Sequence, residues 1–99
     1  MTGAKHKNSR IINRVRITHP LGLHTRPATE IVRLLQNSKS EVLFTHKGST
    51  INAKSILSIL LLQVSRNSSM VITVDGEDAH DTMEKLLNAF NGPLGEKKP

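Results

Sequence analysis

Residues 11–35 read IINRVRITHPLGLHTRPATEIVRLL, and the apolar period changes inside that stretch. Ile11, Val15 and Ile17 fall on one side of a two-residue alternation whose other side carries Arg14, Arg16 and Thr18, with Asn13 interrupting it near the start. Successive strand side chains point to opposite faces, so the alternation predicts a half-buried strand. His19-Pro20-Leu21-Gly22 is turn material. Beyond it, Ala28, Ile31, Val32 and Leu35 take the i, i+3, i+4, i+7 spacing of an amphipathic helix. Pro27 suits a first helical turn, where a missing N–H forfeits no intrahelical bond. The helix therefore begins near Arg26, with His24 at or just before its N-terminus.

Working outward, Asn37 to Ser40 closes that helix, and Val42 and Phe44 alternate with Glu41, Leu43 and Thr45 in a second strand. Lys47-Gly48-Ser49 can turn a hairpin into a short third strand around Thr50 to Ala53. Ser55 is placed to cap a second helix running to about Gln63. Met70 to Val74 is a β-rich run, and Ala79, Met83, Leu86, Leu87 and Phe90 mark a third helix with acids in its first turns. The order βαββαβα has too few helical crossovers for a parallel sheet. The expected fold is an α/β (α+β) two-layer open-faced sandwich, a four-stranded antiparallel sheet with three helices on one face. Its expected organisation is a basic disordered N-terminal extension at 1–10, one domain at 11–91 and a flexible tail at 92–99.

Composition narrows the function. Ninety-nine residues, 36% of them hydrophobic, make one domain with a modest core. The absence of cysteine excludes a disulfide framework, a thiolate metal site and a cysteine nucleophile. The longest apolar run, Ile59 to Leu62, is far short of a membrane span, and the start of the chain lacks a signal-peptide pattern. A soluble, cytoplasmic protein without membrane insertion is expected. The net charge of +6 sits at the ends: residues 1–16 hold Lys5, Lys7, Arg10, Arg14 and Arg16 with no acid, while acids and bases balance over 17–95. With Phe44 and Phe90 as the only aromatics there is no base-stacking platform, so no specific nucleic-acid partner is expected. The basic segment reads either as a solvated tail or as a salt-dependent contact with phosphates.

Five histidines are present, none at the spacing of a zinc motif, and no glycine-rich phosphate loop exists. No metal and no cofactor are expected. His24 stands apart by its neighbourhood. Unpaired amides and the positive dipole end at a helix start disfavour an imidazolium, leaving a neutral ring able to act as a nucleophile. The same amides would donate to a phosphoryl group acquired by the ring. Arg26 can add charge-assisted hydrogen bonds, Gly22 lets the backbone turn tightly, and Pro27 fixes the first turn. The plain alternative is that His24 only caps the helix and Arg26 is a solvated charge.

The stretch Gly22-Leu23-His24-Thr25-Arg26-Pro27-Ala28 resembles the active-site motif of HPr, the histidine-containing phosphocarrier family of the bacterial sugar phosphotransferase system. Ala53-Lys54-Ser55-Ile56-Leu57 is similar to that family's regulatory serine segment, and Gly76-Glu77-Asp78 to its C-terminal part. The resemblance implies a carrier rather than a turnover enzyme. Enzyme I would phosphorylate His24 on Nδ1, Arg26 would hold the phosphate, and a sugar-specific enzyme IIA domain would take the group. Gly22, Thr25, Pro27 and Ala28 would build the helix start. It further implies that Ser55 is a target of an HPr kinase/phosphorylase and that Ile56, Leu57 and Leu60 form a docking face; a monomer is expected because a shuttle must expose one site to several partners.

The residues keep alternatives open. Ser55 also reads as an ordinary helix cap, and the second apolar arc of the second helix as thicker core or a homodimer contact. A regulatory module working through Ser55 and protein binding is the second functional reading. His6, His19, His46 and His80 match no functional position of the family and read as surface or turn residues. Leu21 stands where many members carry a polar residue that can help hold the histidine ring, which leaves orientation of the His24 ring open to other groups. Ser58, at a position often glycine, and the basic N-terminus are further departures from the family pattern.

Overall fold

The computed structural model describes residues 9–92. Its elements run β1 (Ser9–Arg16), α1 (Thr25–Leu35), β2 (Glu41–His46), β3 (Ser49–Asn52), α2 (Ile56–Leu62), β4 (Ser69–Gly76) and α3 (Ala79–Asn91). The strands form one sheet in the order β1-β4-β2-β3, and every pairing is antiparallel. β4 is the last strand in sequence but lies between β1 and β2, so the fold closes only when residues far apart in the chain pair.

The alternation in the strands decides the core. Val15, Val42, Phe44, Met70, Ile72 and Val74 turn to one side of the sheet and are buried there. Against them pack Ala28, Ile31 and Leu35 from α1, Ile59 and Leu62 from α2, and Ala79, Met83 and Leu86 from α3. Burying each large aliphatic side chain is worth about 1.5–3 kcal/mol, so this layer supplies most of the drive to fold. Among the described residues, nothing covers the other side of the sheet. It carries Arg10, Arg14 and Arg16 on β1, with Ile12 aligned through Thr73 to Leu43.

Two expectations change. β1 begins at Ser9 rather than Ile11, because Ser9 pairs with Gly76 and Arg10 with Asp75. Ladder hydrogen bonds need backbone, not apolar side chains, so pairing outruns the hydrophobic pattern and takes in two residues expected to be disordered. The rest of the expected extension, 1–8, and of the tail, 93–99, lies outside the described residues. The second change concerns His46, expected at the surface. It shares the inward parity of Val42 and Phe44 on β2 and is buried, with its Nε2 unpaired.

Candidate functional site

The turn leading into α1 is fixed by backbone before any side chain acts. The Gly22 amide donates to the His19 carbonyl at 2.9 Å, and Gly22 itself sits in the left-handed region at φ +70°. A Cβ at this position would run onto the Val64 carbonyl oxygen and lie 2.9 Å from the Ser65 Cα. Glycine is therefore demanded twice, by conformation and by close approach. The next residue fastens the loop: Leu23 is buried, and its amide donates to that same Val64 carbonyl at 2.9 Å.

His24 follows in extended conformation, φ −100° and ψ −166°, as the residue before α1. Its carbonyl accepts the first helical bond, from the Ala28 amide at 3.0 Å, but its side chain makes no capping hydrogen bond. The reading of His24 as a plain side-chain cap therefore fails, and the imidazole is left for something else. Thr25 and Arg26 occupy the first two helical positions, where amides have no carbonyl to reach within the helix. Pro27 and Ala28 are buried beneath them and hold the helix start against the core. Thr25 and Arg26 are exposed, so the guanidinium is free to swing toward a ligand at His24.

The ring of His24 is half-buried, and its Nε2 is sealed from solvent without a hydrogen-bond partner among the described residues. Nδ1 is the nitrogen left open. Burial, the neighbouring His19 ring and the Arg26 guanidinium together lower the pKa of His24 below the ordinary imidazole value. A lowered pKa keeps the ring neutral at neutral pH, the state in which a ring nitrogen has a lone pair to give. The arrangement can accept an electrophile on Nδ1 and surround the resulting anion with backbone amides and one arginine.

Ser55 lies at the start of α2, and its Oγ accepts from the Ser58 amide at 3.2 Å. That is a true cap, worth about 1 kcal/mol. Lys54 beside it donates from Nζ to the Ser38 carbonyl at 2.9 Å, tying the segment to the end of α1. An open groove of about 390 Å³ runs between α1 and α2, lined by Thr29, Val32, Arg33, Gln36, Lys54 and Ile56 among others.

The expected docking face is altered in one member. Ile59 and Leu62 are buried as their arc required, and Leu57 is 65% exposed with Ile56 less so. Leu60 is instead half-buried against the core, and the exposed partner of Leu57 is Leu61, at 69%. Leu57 and Leu61 lie four apart, one turn of helix, and so share a face. Sequence reasoning also missed His19, whose ring centroid lies 4.7 Å from that of His24. The contact spans the Pro20-Leu21-Gly22 turn, and no periodicity reports it.

Comparison with known proteins agrees with this geometry. Residues 11–92 match the family model described as the PTS HPr component phosphorylation site. The phosphocarrier protein HPr of Chlamydia muridarum is 41% identical over 80 residues, covering 81% of this chain and 77% of that protein. Among solved structures, HPr-C-His from Thermoanaerobacter tengcongensis superposes with a TM-score of 0.83 at 26% identity, covering 89% of this chain and 99% of that one. HPr from Bacillus anthracis gives 0.77 at 30% identity, covering 83% and 98%.

Proposed function

The chain belongs to the HPr family of phosphocarrier proteins of the phosphotransferase system, and from that membership we propose that Nδ1 of His24 is the atom that carries its phosphoryl group. The observation that supports this most is the enclosure of Nε2, which leaves one ring nitrogen open beside the free amides of α1. The Nδ1 lone pair attacks phosphorus in line while the bond from phosphorus to the donor breaks on the far side. The donor leaves with that electron pair, and the ring proton stays on Nε2. Little is required of the protein beyond position and charge stabilisation, which dominate phosphoryl transfer. Arg26 and the amides of Thr25 and Arg26 receive the phosphoryl oxygens.

In this reading enzyme I is the donor and a sugar-specific enzyme IIA domain the acceptor. The protein is a stoichiometric intermediate, consumed and regenerated rather than turning over a substrate. It works in the cytoplasm and as a monomer, since one small site must face several partners in turn. Those partners dock on the apolar side of α2, on Ile56 and Leu57 with Leu61, and Leu60 backs the surface from beneath. Ser55 is the second phosphorylation site, acted on by an HPr kinase/phosphorylase. A phosphate there would add roughly −1.5 to −2 charges beside the docking face, which an apolar partner surface resists.

The test is intact mass after incubation with phosphoenolpyruvate, Mg²⁺ and active enzyme I, kept alkaline because phosphohistidine is acid-labile. Wild type gains one phosphoryl group and His24→Ala gains none. Equal labelling of both overturns the assignment of His24.

A further inference from the structure

The family position that commonly steadies the histidine ring is filled here by Leu21, whose side chain is 70% exposed and offers no polar atom. The space beside the ring is occupied by His19. His19 is half-buried, and its imidazole meets that of His24 at a centroid distance of 4.7 Å with the planes tilted by 48°. Its Nδ1 accepts from the Leu21 backbone N–H at 3.1 Å, while its carbonyl accepts from the Gly22 amide. Both ends of the residue are thus fixed by the turn.

We propose that His19 is a positioning residue for His24, a second imidazole locked by the turn that sets the orientation of the reactive ring and keeps it uncharged. The proposal rests on His24 as the phosphoryl acceptor and adds the group that prepares it. Because Nδ1 of His19 receives an N–H, the proton of the neutral ring lies on Nε2. Charging His24 would place a cation against that ring and near Arg26, both of which act with burial to lower its pKa. The recess behind His19 is lined by Arg16, Thr18, Gly22, Leu23, Pro27 and Phe90 among others, and among the described residues it holds no carboxylate. His19 is therefore held still by the turn, and its ring, with burial and Arg26, disfavours the charged form of His24.

The test is NMR titration of the histidine side chains in the full-length protein, alongside the rate of phosphoryl acceptance from enzyme I near pH 6 and pH 8. The variants are His19→Ala and His19→Asn, the second keeping an acceptor for the Leu21 amide so that the turn survives. Both raise the titration midpoint of His24 toward the ordinary imidazole value. Acceptance falls about 10- to 100-fold in His19→Ala at pH 8, where only ring orientation is lost. It falls further near pH 6, where the ring also protonates. Should His19→Ala not fold, the midpoint in His19→Asn decides. A His24 midpoint unchanged from wild type overturns the proposal. So does an acceptance rate in His19→Ala that matches wild type at both pH values. The titration needs no phosphoryl donor, so it stands even where the carrier assignment of His24 fails.

Discussion

The carboxylate of Asp78, at the start of α3, accepts from the hydroxyl of Ser40, at the head of β2, and on its other oxygen from the Lys39 amide at 2.8 Å. Ser38 donates to the same side chain, so one acid ties the end of α1, the start of β2 and the start of α3. These bonds, the Lys39 amide foremost, hold its pKa below the usual carboxylate value against the opposing effect of burial. A depressed folded-state value means that the stabilisation is complete above the unfolded carboxylate pKa and is lost as pH falls through the folded one. Asp78→Asn is expected to cost about 2–3 kcal/mol at pH 7. In urea unfolding the gap between wild type and variant closes as pH drops from about 4 toward the lowered value.

Gly22→Ala tests the turn. The new methyl meets the Val64 carbonyl in a left-handed conformation, so the loop must move or strain. A loss of about 1–3 kcal/mol in thermal or urea unfolding is expected. Faster hydrogen exchange at the Leu23 amide should accompany it, since its partner is the same carbonyl.

Arg26→Ala tests the phosphate clamp. Charge-assisted hydrogen bonds of about 1.5–3 kcal/mol correspond to roughly 10- to 100-fold slower phosphoryl acceptance, and Arg26→Lys restores part of it. The fold is untouched because the side chain is exposed. Removing this cation also lets the His24 midpoint rise, so the loss is greater below neutral pH than above it.

Leu57→Glu and Leu61→Glu separate docking from stability. Both positions face solvent, so unfolding free energies should stay within about 0.5 kcal/mol of wild type while affinity for enzyme I falls at least tenfold. Ile59→Ala, on the buried arc of the same helix, should instead cost about 2–5 kcal/mol. Equal affinity in all three would move the docking face away from α2.

Apolar period alone was enough to place the core, because Val42 and Phe44, or Ile31 and Leu35, can only bury together on one face. The motif around His24 also stood out, since a histidine, an arginine and a proline at a helix start have a chemical reason to be neighbours. His46 sat in the inward register of β2 from the outset, but its polar identity concealed what its parity said. Asp78 stood in the sequence only as part of Gly76-Glu77-Asp78 at the start of the third helix, whereas its bond to Ser40 reaches across 38 positions of chain. His19 was hidden for the opposite reason. Its contact is local, yet it depends on how a Pro-Leu-Gly turn folds back, and neither composition nor period describes that.

The bond from the Leu23 amide to the Val64 carbonyl joins the loop of His24 to the segment just beyond α2. In the proposed reading the ring that takes the phosphoryl group and the helix bearing Leu57 and Leu61 are thus fastened to one another by backbone, as a blade is pinned to its handle. On the proposal that partners dock on α2, one that seats squarely there finds the His24 ring already aimed, and one that seats askew carries the error to phosphorus. Fidelity in such a shuttle would then be a matter of alignment, set where that loop is tied to the end of α2.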